Sequence, residues 1–427
     1  MYSGTRAGAR TRLMRTRLTA ARRALPILAA LAVTAAAQGY EDAPRPVPSE
    51  ILTPELKKSN HHSVEEVEVD GRFYRVRMDS DFGVYVVPSL ALLRIRVDEV
   101  ATLSQAVVEF ERQDRDLSEQ LRGQFSVRAD NALDIITRPV STASDLSGQF
   151  ADKLNETIAG PDAAGGQQPD PVYTMAGATG EDPGTAMHRR NIAAQWGLDV
   201  YSSNPKVQDF LAAVARARAG GRISAGAPSF IVPAARRAGI EDPSVDAEVA
   251  GLLKGMNAGE LAAANAALLA RMQVGPKLSA RFLRHPAYSP RHQTRIAHYL
   301  DALSGVLNRA SLVEAALSAG DESVALAFEQ AAIMLLHYHR HVGPLQKLYS
   351  GTDVLQAISA GNRIVSILPV DVIYWSGHTE RLFDGILNRA RQARLSGWEV
   401  VVAGDVTAQS REALQQREFL VRERFVQ

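Results

Sequence analysis

Three residues that together can carry out nucleophilic catalysis stand near one another late in this 427-residue chain. Ser376 and His378 follow one strand-like segment, and Asp405 follows the next. A nucleophile, a base and an orienting carboxylate are the minimum set for a hydrolase. The carboxyl ends of parallel strands are also where α/β sheets usually bind ligands. However, Ser376 lacks the G-x-S-x-G turn, and Thr379, Asp405 and Thr407 are residue types that begin helices. We therefore favour helix capping and keep the hydrolase site as the alternative.

Two histidines, His337 and His341, lie four residues apart on a predicted helix and so share one of its faces. Such a pair can bind zinc, but the zinc-protease pattern needs Glu after the first histidine, where this chain has Tyr338. Histidines in the last turn of a helix also complement its dipole. We expect no metal and no other cofactor, with His337 and His341 as the metal-binding alternative.

Several classes of chemistry are excluded by composition. The chain has no cysteine, which removes disulfides, thiolate nucleophiles and cysteine-ligated zinc. It also lacks the glycine-rich loops that bind nucleotide phosphates. Basic and acidic residues number 48 and 47, and only 6% of residues are aromatic, so nucleic acid is not an expected partner.

Two groups of basic residues are interpreted as solvated helix faces. In the first, His292 and His298 stand with Arg291 and Arg295. An acidic partner or lipid headgroups are the alternative for the second group, which contains Arg189, Arg190, Arg216, Arg218 and Arg222.

Strands and helices alternate in the last part of the chain, where they would position Ser376, His378 and Asp405. The strand patterns cover 363–368, 370–375, 398–402 and 419–423, and the helical ones cover 379–395 and 407–416. Short connections between alternating strands and helices predict parallel pairing. We predict a small C-terminal three-stranded α/β unit within residues 351–427.

The N-terminal part carries the clearest strand pattern. Apolar and charged residues alternate over 64–69 and 72–78 around Asp70-Gly71, which is typical of a hairpin with a two-residue turn. A third strand at 83–87 completes an antiparallel β-meander.

Helical periodicity starts at Ser89 and predicts a long amphipathic helix to about Leu121. A second helical pattern at 125–158 is interrupted by Pro139. With the meander, these helices form the predicted domain at 63–158. The amphipathic helices at 91–158 offer the largest partner-binding surface. A linker at 159–183 and a helical domain at 184–350 follow.

The first 37 residues have the features of a secretory signal peptide. Seven arginines and no acid precede an apolar run of 14 residues, 24–37, which ends in an A-x-A site at Ala37. Either Met1 or Met14 is the start, and the leader is either cleaved or retained. Cleavage would remove seven of the 48 basic residues and none of the 47 acidic ones, leaving a net charge of about −6. Residues 38–62 are polar and contain four prolines, so they are predicted to be a flexible tether.

Two stretches resemble a group of uncharacterised exported proteobacterial proteins. The first runs from Asp70-Gly71 through Val84-Tyr85-Val86-Val87-Pro88-Ser89 into Leu92-Leu93-Arg94-Ile95-Arg96, and the second is Gly197 to Pro205 followed by Gln208. The resemblance implies export and a shared layout. It implies no activity, because no activity of the group is known.

The expected fold is therefore α+β and predominantly α-helical, with an N-terminal antiparallel β-meander, a central helical region and the small C-terminal α/β unit. We expect a periplasmic or secreted envelope protein with a binding, scaffolding or assembly role, whose partner is another envelope protein. One alternative is the hydrolase at the C-terminal strand ends. The other is a protein that acts on a membrane surface through residues 125–158.

Overall fold

The computed structural model describes residues 39–123, 183–223, 240–349 and 354–426. The predicted signal peptide at 1–37, the helical pattern at 125–158 and all but the last residue of the predicted linker lie outside these ranges. No helix in the described ranges is long and apolar enough to cross a membrane.

The predicted meander is present. Its strands are β1 (His62–Asp70), β2 (Phe73–Ser80) and β3 (Gly83–Val87), all antiparallel. The turn is displaced by one residue from the predicted Asp70-Gly71, because Asp70 pairs with Phe73 and leaves Gly71 and Arg72 between them. Gly71 has φ +63°, which suits a glycine in the first position of a tight hairpin turn.

Residues 40–58 differ from the flexible tether that the sequence predicts. They include two short helices, α1 (Pro48–Ile51) and α2 (Pro54–Lys57). Leu52 and Leu56 are buried in the core beneath the meander, and the main-chain N–H of Glu41 donates to the Trp375 carbonyl at 2.9 Å. The segment is therefore fixed by two apolar anchors and by a contact with the distant C-terminal part.

The long amphipathic helix begins where it is predicted. Ser89 caps α3 (Leu90–Gln113) by accepting from the Leu92 N–H at 3.2 Å. The helix is interrupted at Asp114, whose carboxylate accepts from the Leu117 N–H at 3.0 Å, and residues 115–123 are helical again. The predicted single helix to Leu121 is therefore two helical segments.

The central region is helical, as predicted. Its helices are α4 (Pro183–Trp196), α5 (Pro205–Ala219), α6 (Pro243–Gly255), α7 (Ala258–Arg271), α8 (Pro276–Leu283), α9 (Pro290–Ala302), α10 (Ala310–Ala316) and α11 (Glu322–His341). Asn204, Asp242 and Ser289 cap helices that have proline at the first position, a pairing that favours a helix start. Between α9 and α10 the chain turns through Gly305 and Asn308, both with positive φ.

The C-terminal part contains the three predicted parallel strands and four further strands. The elements are β4 (Leu345–Tyr349), β5 (Leu355–Ser359), β6 (Arg363–Leu368), β7 (Val372–Ile373), α12 (Gly377–Gln392), β8 (Gly397–Val402), β9 (Asp405–Val406), α13 (Ala408–Gln416) and β10 (Leu420–Arg422). Strands β6, β8 and β10 are parallel, and β5 and β4 extend the sheet to five strands in the order β10-β8-β6-β5-β4. Strands β7 and β9 form a separate parallel pair.

This five-stranded sheet is covered on both faces. Val365 and Ile367 of β6 pack in the same core as α11, whereas Ile364 and Leu368 pack with α12 and α13. This alternation follows the twofold repeat of a strand. The central helices and the C-terminal strands therefore share one hydrophobic core. The fold is α+β and predominantly helical.

We expect Gly404→Ala to destabilise the protein strongly. Gly404 follows β8, and an added Cβ there would lie 2.0 Å from the Asp371 carbonyl oxygen, so the main chain would have to move. We expect the free energy of unfolding to fall by at least about 2 kcal/mol. Gly251→Ala on the exposed side of α6 is the matched control, because nothing lies within 4 Å of its added Cβ. It should stabilise the helix by up to about 1 kcal/mol. Chemical denaturation of both variants measures the contrast, and equal stabilities would contradict it.

Candidate functional site

The structure places the predicted strand-end residues in capping and ion-pair roles. Ser376 caps α12, since its Oγ accepts from the Thr379 N–H at 3.2 Å. Thr407 caps α13 as its residue type suggests. Asp405 lies on β9, and its carboxylate binds Nε of Arg424 at 2.6 Å. His378 is half-buried in the first turn of α12. The capping residue of α12 is thus Ser376 and not Thr379.

His337 and His341 share one face of α11, as predicted. Their ring centroids are 4.6 Å apart, and the His337 ring also meets the edge of Phe425 at 5.4 Å. Burial lowers the pKa of His337, and His341 beside it lowers it further. Within the described ranges, no group of three or more histidines and carboxylates is arranged to hold a metal ion.

Many charged side chains line a cleft of about 390 Å³, which we call the charged cleft. It lies between α3, the loop before α5, and helices α4, α6, α9 and α11. Its cations are Arg94, Arg96, Arg190, Lys254, Arg291 and Arg295, and its acids are Asp98, Glu99, Asp199, Glu241, Asp246, Glu322 and Glu329. The two signs are nearly balanced, so the lining as a whole is close to neutral.

Glu329 of α11 is the centre of the first ion-pair network in this cleft. Its carboxylate lies 3.1 Å from Nη1 of Arg295 and 3.4 Å from Nη1 of Arg291. Although burial alone would raise the pKa of Glu329, these two guanidinium groups bring it below its ordinary value. Arg295 in turn binds Glu241 at 2.9 Å and Asp246 at 3.0 Å. The network therefore fixes α9, α11 and the start of α6 relative to one another.

Glu99 of α3 is the centre of a second network. Arg96 donates to it at 2.8 Å, the amide of Asn204 donates at 2.9 Å, and the Ser202 hydroxyl also donates to it. The Ser203 hydroxyl donates to Glu322 of α11 at 2.5 Å. The two stretches that carry the resemblance, one ending at Arg96 and the other passing through residues 202–204, therefore meet at the charged cleft.

Several polar groups of the cleft have no partner in the described part of the chain. Arg94 and Arg190 are half-buried and make neither a hydrogen bond nor an ion pair there. Nδ1 of His292, Oε2 of Glu241 and Nε of Arg295 are buried and also lack a hydrogen-bond partner. Buried polar atoms are nearly always paired in folded proteins, so their concentration in one cavity indicates a place for a polar ligand.

Burial also shifts the pKa of two groups in the cleft. It raises the pKa of Asp199, although Arg291 at 3.7 Å and the Tyr201 N–H at 2.9 Å act in the opposite direction. Burial lowers the pKa of His292, which favours the neutral imidazole. A neutral His292 can donate or accept a hydrogen bond without adding charge to the cleft.

Asp371, between β6 and β7, is a buried carboxylate whose charge acts on Arg94 of the cleft. Its Oδ2 accepts from the Tyr74 N–H at 3.0 Å and from the Leu90 N–H at 2.9 Å. Burial raises the pKa of Asp371 to about 6, even though these donors and Arg94 favour the ionised form.

The charged cleft was not predicted from the sequence. Arg291, His292 and Arg295 were interpreted as a solvated face, whereas His292 and Arg295 are buried and Arg291 is nearly so. One local signal was available. Glu329 interrupts a long apolar run on α11, and an acid in such a position needs a buried cation.

We expect Asp371→Asn to change how stability depends on pH. Because the pKa of Asp371 is raised on folding, its ionisation is less favourable in the folded chain than in the unfolded one. Its contribution to stability is complete below about pH 4 and is lost as the pH rises through about 6. The amide cannot ionise but keeps an oxygen for the two N–H donors. Between pH 4 and 7, the unfolding free energy of the unmodified protein should fall by about 2 kcal/mol relative to Asp371→Asn. Denaturant titrations across this range test it, with the exposed Asp116→Asn as a control for lost charge, and parallel profiles would contradict it.

Comparison of the chain with protein-family models, with curated proteins and with solved structures found no match.

Proposed function

We propose that this chain is an exported binding protein that holds a small organic anion in the charged cleft. The observation that carries the proposal is the pair of arginines, Arg94 and Arg190, that line the cleft without a protein partner. A half-buried guanidinium group that makes no ion pair is unfavourable until an anion reaches it. The cleft volume of about 390 Å³ falls in the range of small-molecule sites.

The chemistry of the lining indicates what such a ligand must contain. Guanidinium groups bind carboxylates and phosphates through paired N–H donors, which favours an anionic group at Arg94 and Arg190. Oε2 of Glu241 can only accept when ionised, so it requires a donor such as a hydroxyl or an amine. The near balance of charge around the cleft disfavours polyanions. A hydroxy acid or an amino acid has both kinds of group.

The ion-pair networks favour binding over general acid and base catalysis. Glu329 and Glu99 are each held by several donors, which fixes the walls of the cleft before a ligand arrives. Such preorganisation raises affinity because less conformational freedom is lost on binding. The guanidinium groups of Arg291 and Arg295 also lower the pKa of Glu329, which makes its carboxylate a poor acceptor for a further proton.

We expect the leader to direct export and to be removed near Ala37. The full chain, expressed in a bacterium with two membranes, should be recovered from the periplasm or the medium without its first 37 residues, as measured by mass spectrometry. Ala37→Arg should block processing, because the cleavage site requires a small residue. Ala43→Arg, beyond the site, should be processed normally. A full-length chain that stays in the cytoplasm would contradict export.

We expect removal of the two unpaired arginines to weaken ligand binding with little loss of stability. The probes are phosphate, acetate, citrate and glutamate, added singly to the purified protein while its thermal unfolding is recorded. At least one should raise the midpoint in a concentration-dependent way. The double variant Arg94→Gln/Arg190→Gln should bind that probe about tenfold or more weakly, which is the effect expected when a charge-assisted hydrogen bond is lost.

Arg216→Gln is the matched control for that experiment, because Arg216 is exposed on α5 and its side chain binds only a carbonyl of its own helix. Its affinity should equal that of the unmodified protein. A ligand that binds the double variant as tightly as the unmodified protein would place the site elsewhere.

A further inference from the structure

The strand-end region holds a second binding arrangement, and the chain itself occupies it. Three donors converge on Oε1 of Glu41, namely the main-chain N–H of Trp375, the Thr407 hydroxyl and the Ser410 hydroxyl, the last at 3.4 Å. Ser410 is fully buried, and Thr407 caps α13. Fixed donors at the start of a helix are a common way to bind carboxylates. None of these residues lines the charged cleft.

Further contacts hold the main chain of Glu41 and the aromatic ring of Tyr40 beside this carboxylate. The N–H of Glu41 donates to the Trp375 carbonyl at 2.9 Å, and the N–H of Trp375 donates to the Glu41 carboxylate. The Tyr40 ring lies over Gly377, where an added Cβ would come within 3.2 Å of it. The Tyr40 hydroxyl donates to Glu380 at 2.8 Å. The site therefore contacts an aromatic residue that is followed by an acidic one.

The occupying segment is positioned so that it can leave without unfolding the core. Tyr40 is 61% exposed, and Asp42 and Ala43 are exposed as well. Segments with few buried apolar groups open locally at a low free-energy cost. A tethered ligand of this kind has an effective concentration on the order of millimolar, so a competing ligand has to exceed that value or the tether has to be weakened.

We propose that this strand-end site recognises an acidic peptide segment of a partner protein, and that residues 40–41 occupy it in cis as an autoinhibitory strap. The strap shows the chemistry that the partner must present, which is an aromatic side chain followed by a carboxylate. Displacing the strap exposes the Trp375 N–H and the Thr407 and Ser410 hydroxyls. The site and the charged cleft are independent, so either can exist without the other.

The test uses the full chain and a fluorescent peptide of sequence Tyr-Glu-Asp-Ala, which copies residues 40–43 and is blocked at both ends. We expect Glu41→Ala to bind it at least about tenfold more tightly than the unmodified chain, because the competing strap carboxylate is gone. Adding Thr407→Ala to that variant should lower the affinity about tenfold, and so should replacing Glu by Gln in the peptide. Glu50→Ala is the matched control, since Glu50 is an exposed glutamate of α1, and it should bind like the unmodified chain.

Equal affinities of Glu41→Ala and the unmodified chain would overturn the proposal, as would equal binding of the Gln peptide. A second measurement needs no substitution. About 10 mM of the unlabelled peptide, above the effective concentration of the strap, should speed hydrogen exchange at the Glu41 amide of the unmodified chain. A peptide of the same composition in scrambled order should not do so. Unchanged exchange with the Tyr-Glu-Asp-Ala peptide would also overturn the proposal.

Discussion

A single buried carboxylate, Asp371, joins the meander and the start of α3 to the C-terminal part of the chain, and so positions the helix that enters the charged cleft. Its Oδ2 accepts from Tyr74 of the meander and from Leu90 at the start of α3, a residue 281 positions away. Behind it, the N–H groups of Asp371 and Val372 both donate to the Arg72 carbonyl at 3.0 Å. A carboxylate is costly to bury, and the N–H groups of Tyr74 and Leu90 offset that cost only while they stay in place. The position of α3, and with it the arginines that α3 carries into the cleft, therefore depends on a residue of the C-terminal part.

In the charged cleft, too, the cost of burying charged groups is offset by the partners that they bind. Buried ion pairs such as Glu329 with Arg295 gain little over apolar packing, because desolvation consumes most of their attraction. Breaking one is nevertheless severe, since an uncompensated charge remains. Such networks therefore fix geometry more than they add stability. In this protein they fix α9 and α11 on one side and α3 with the loop at residues 202–204 on the other, which gives the cleft rigid walls.

The features that were predicted correctly from the sequence depend on neighbours along the chain. The hairpin, the Asn204-Pro205 helix start and the three parallel strands are all encoded within short segments. The cleft could not be predicted in this way, because its residues come from five helices and the loops beside them, which only the tertiary fold brings together. The interpretation of residues 38–62 as a tether failed for a related reason. Proline and polar composition are local properties, whereas the partners of Glu41 lie more than 330 positions away. Strands β4 and β5 were missed, although β5 is buried along most of its length.

Arg94 connects the buried carboxylate of Asp371 with the charged cleft, because it lines the cleft and experiences the charge of Asp371. Burial lowers its pKa, while the charges of Asp371 and Glu241 act against that effect without forming an ion pair. The group is thus desolvated and only partly compensated, which is unfavourable in the empty cleft. An anion that binds there would recover part of that cost, and any ligand that binds only the folded state stabilises it by mass action. Because Arg94 belongs to α3 while Glu241 and Asp246 lie at the start of α6, such a ligand would tie the N-terminal core to the helical core. A ligand bound in the cleft should therefore stabilise the packing of these two cores against each other and not the walls of the site alone.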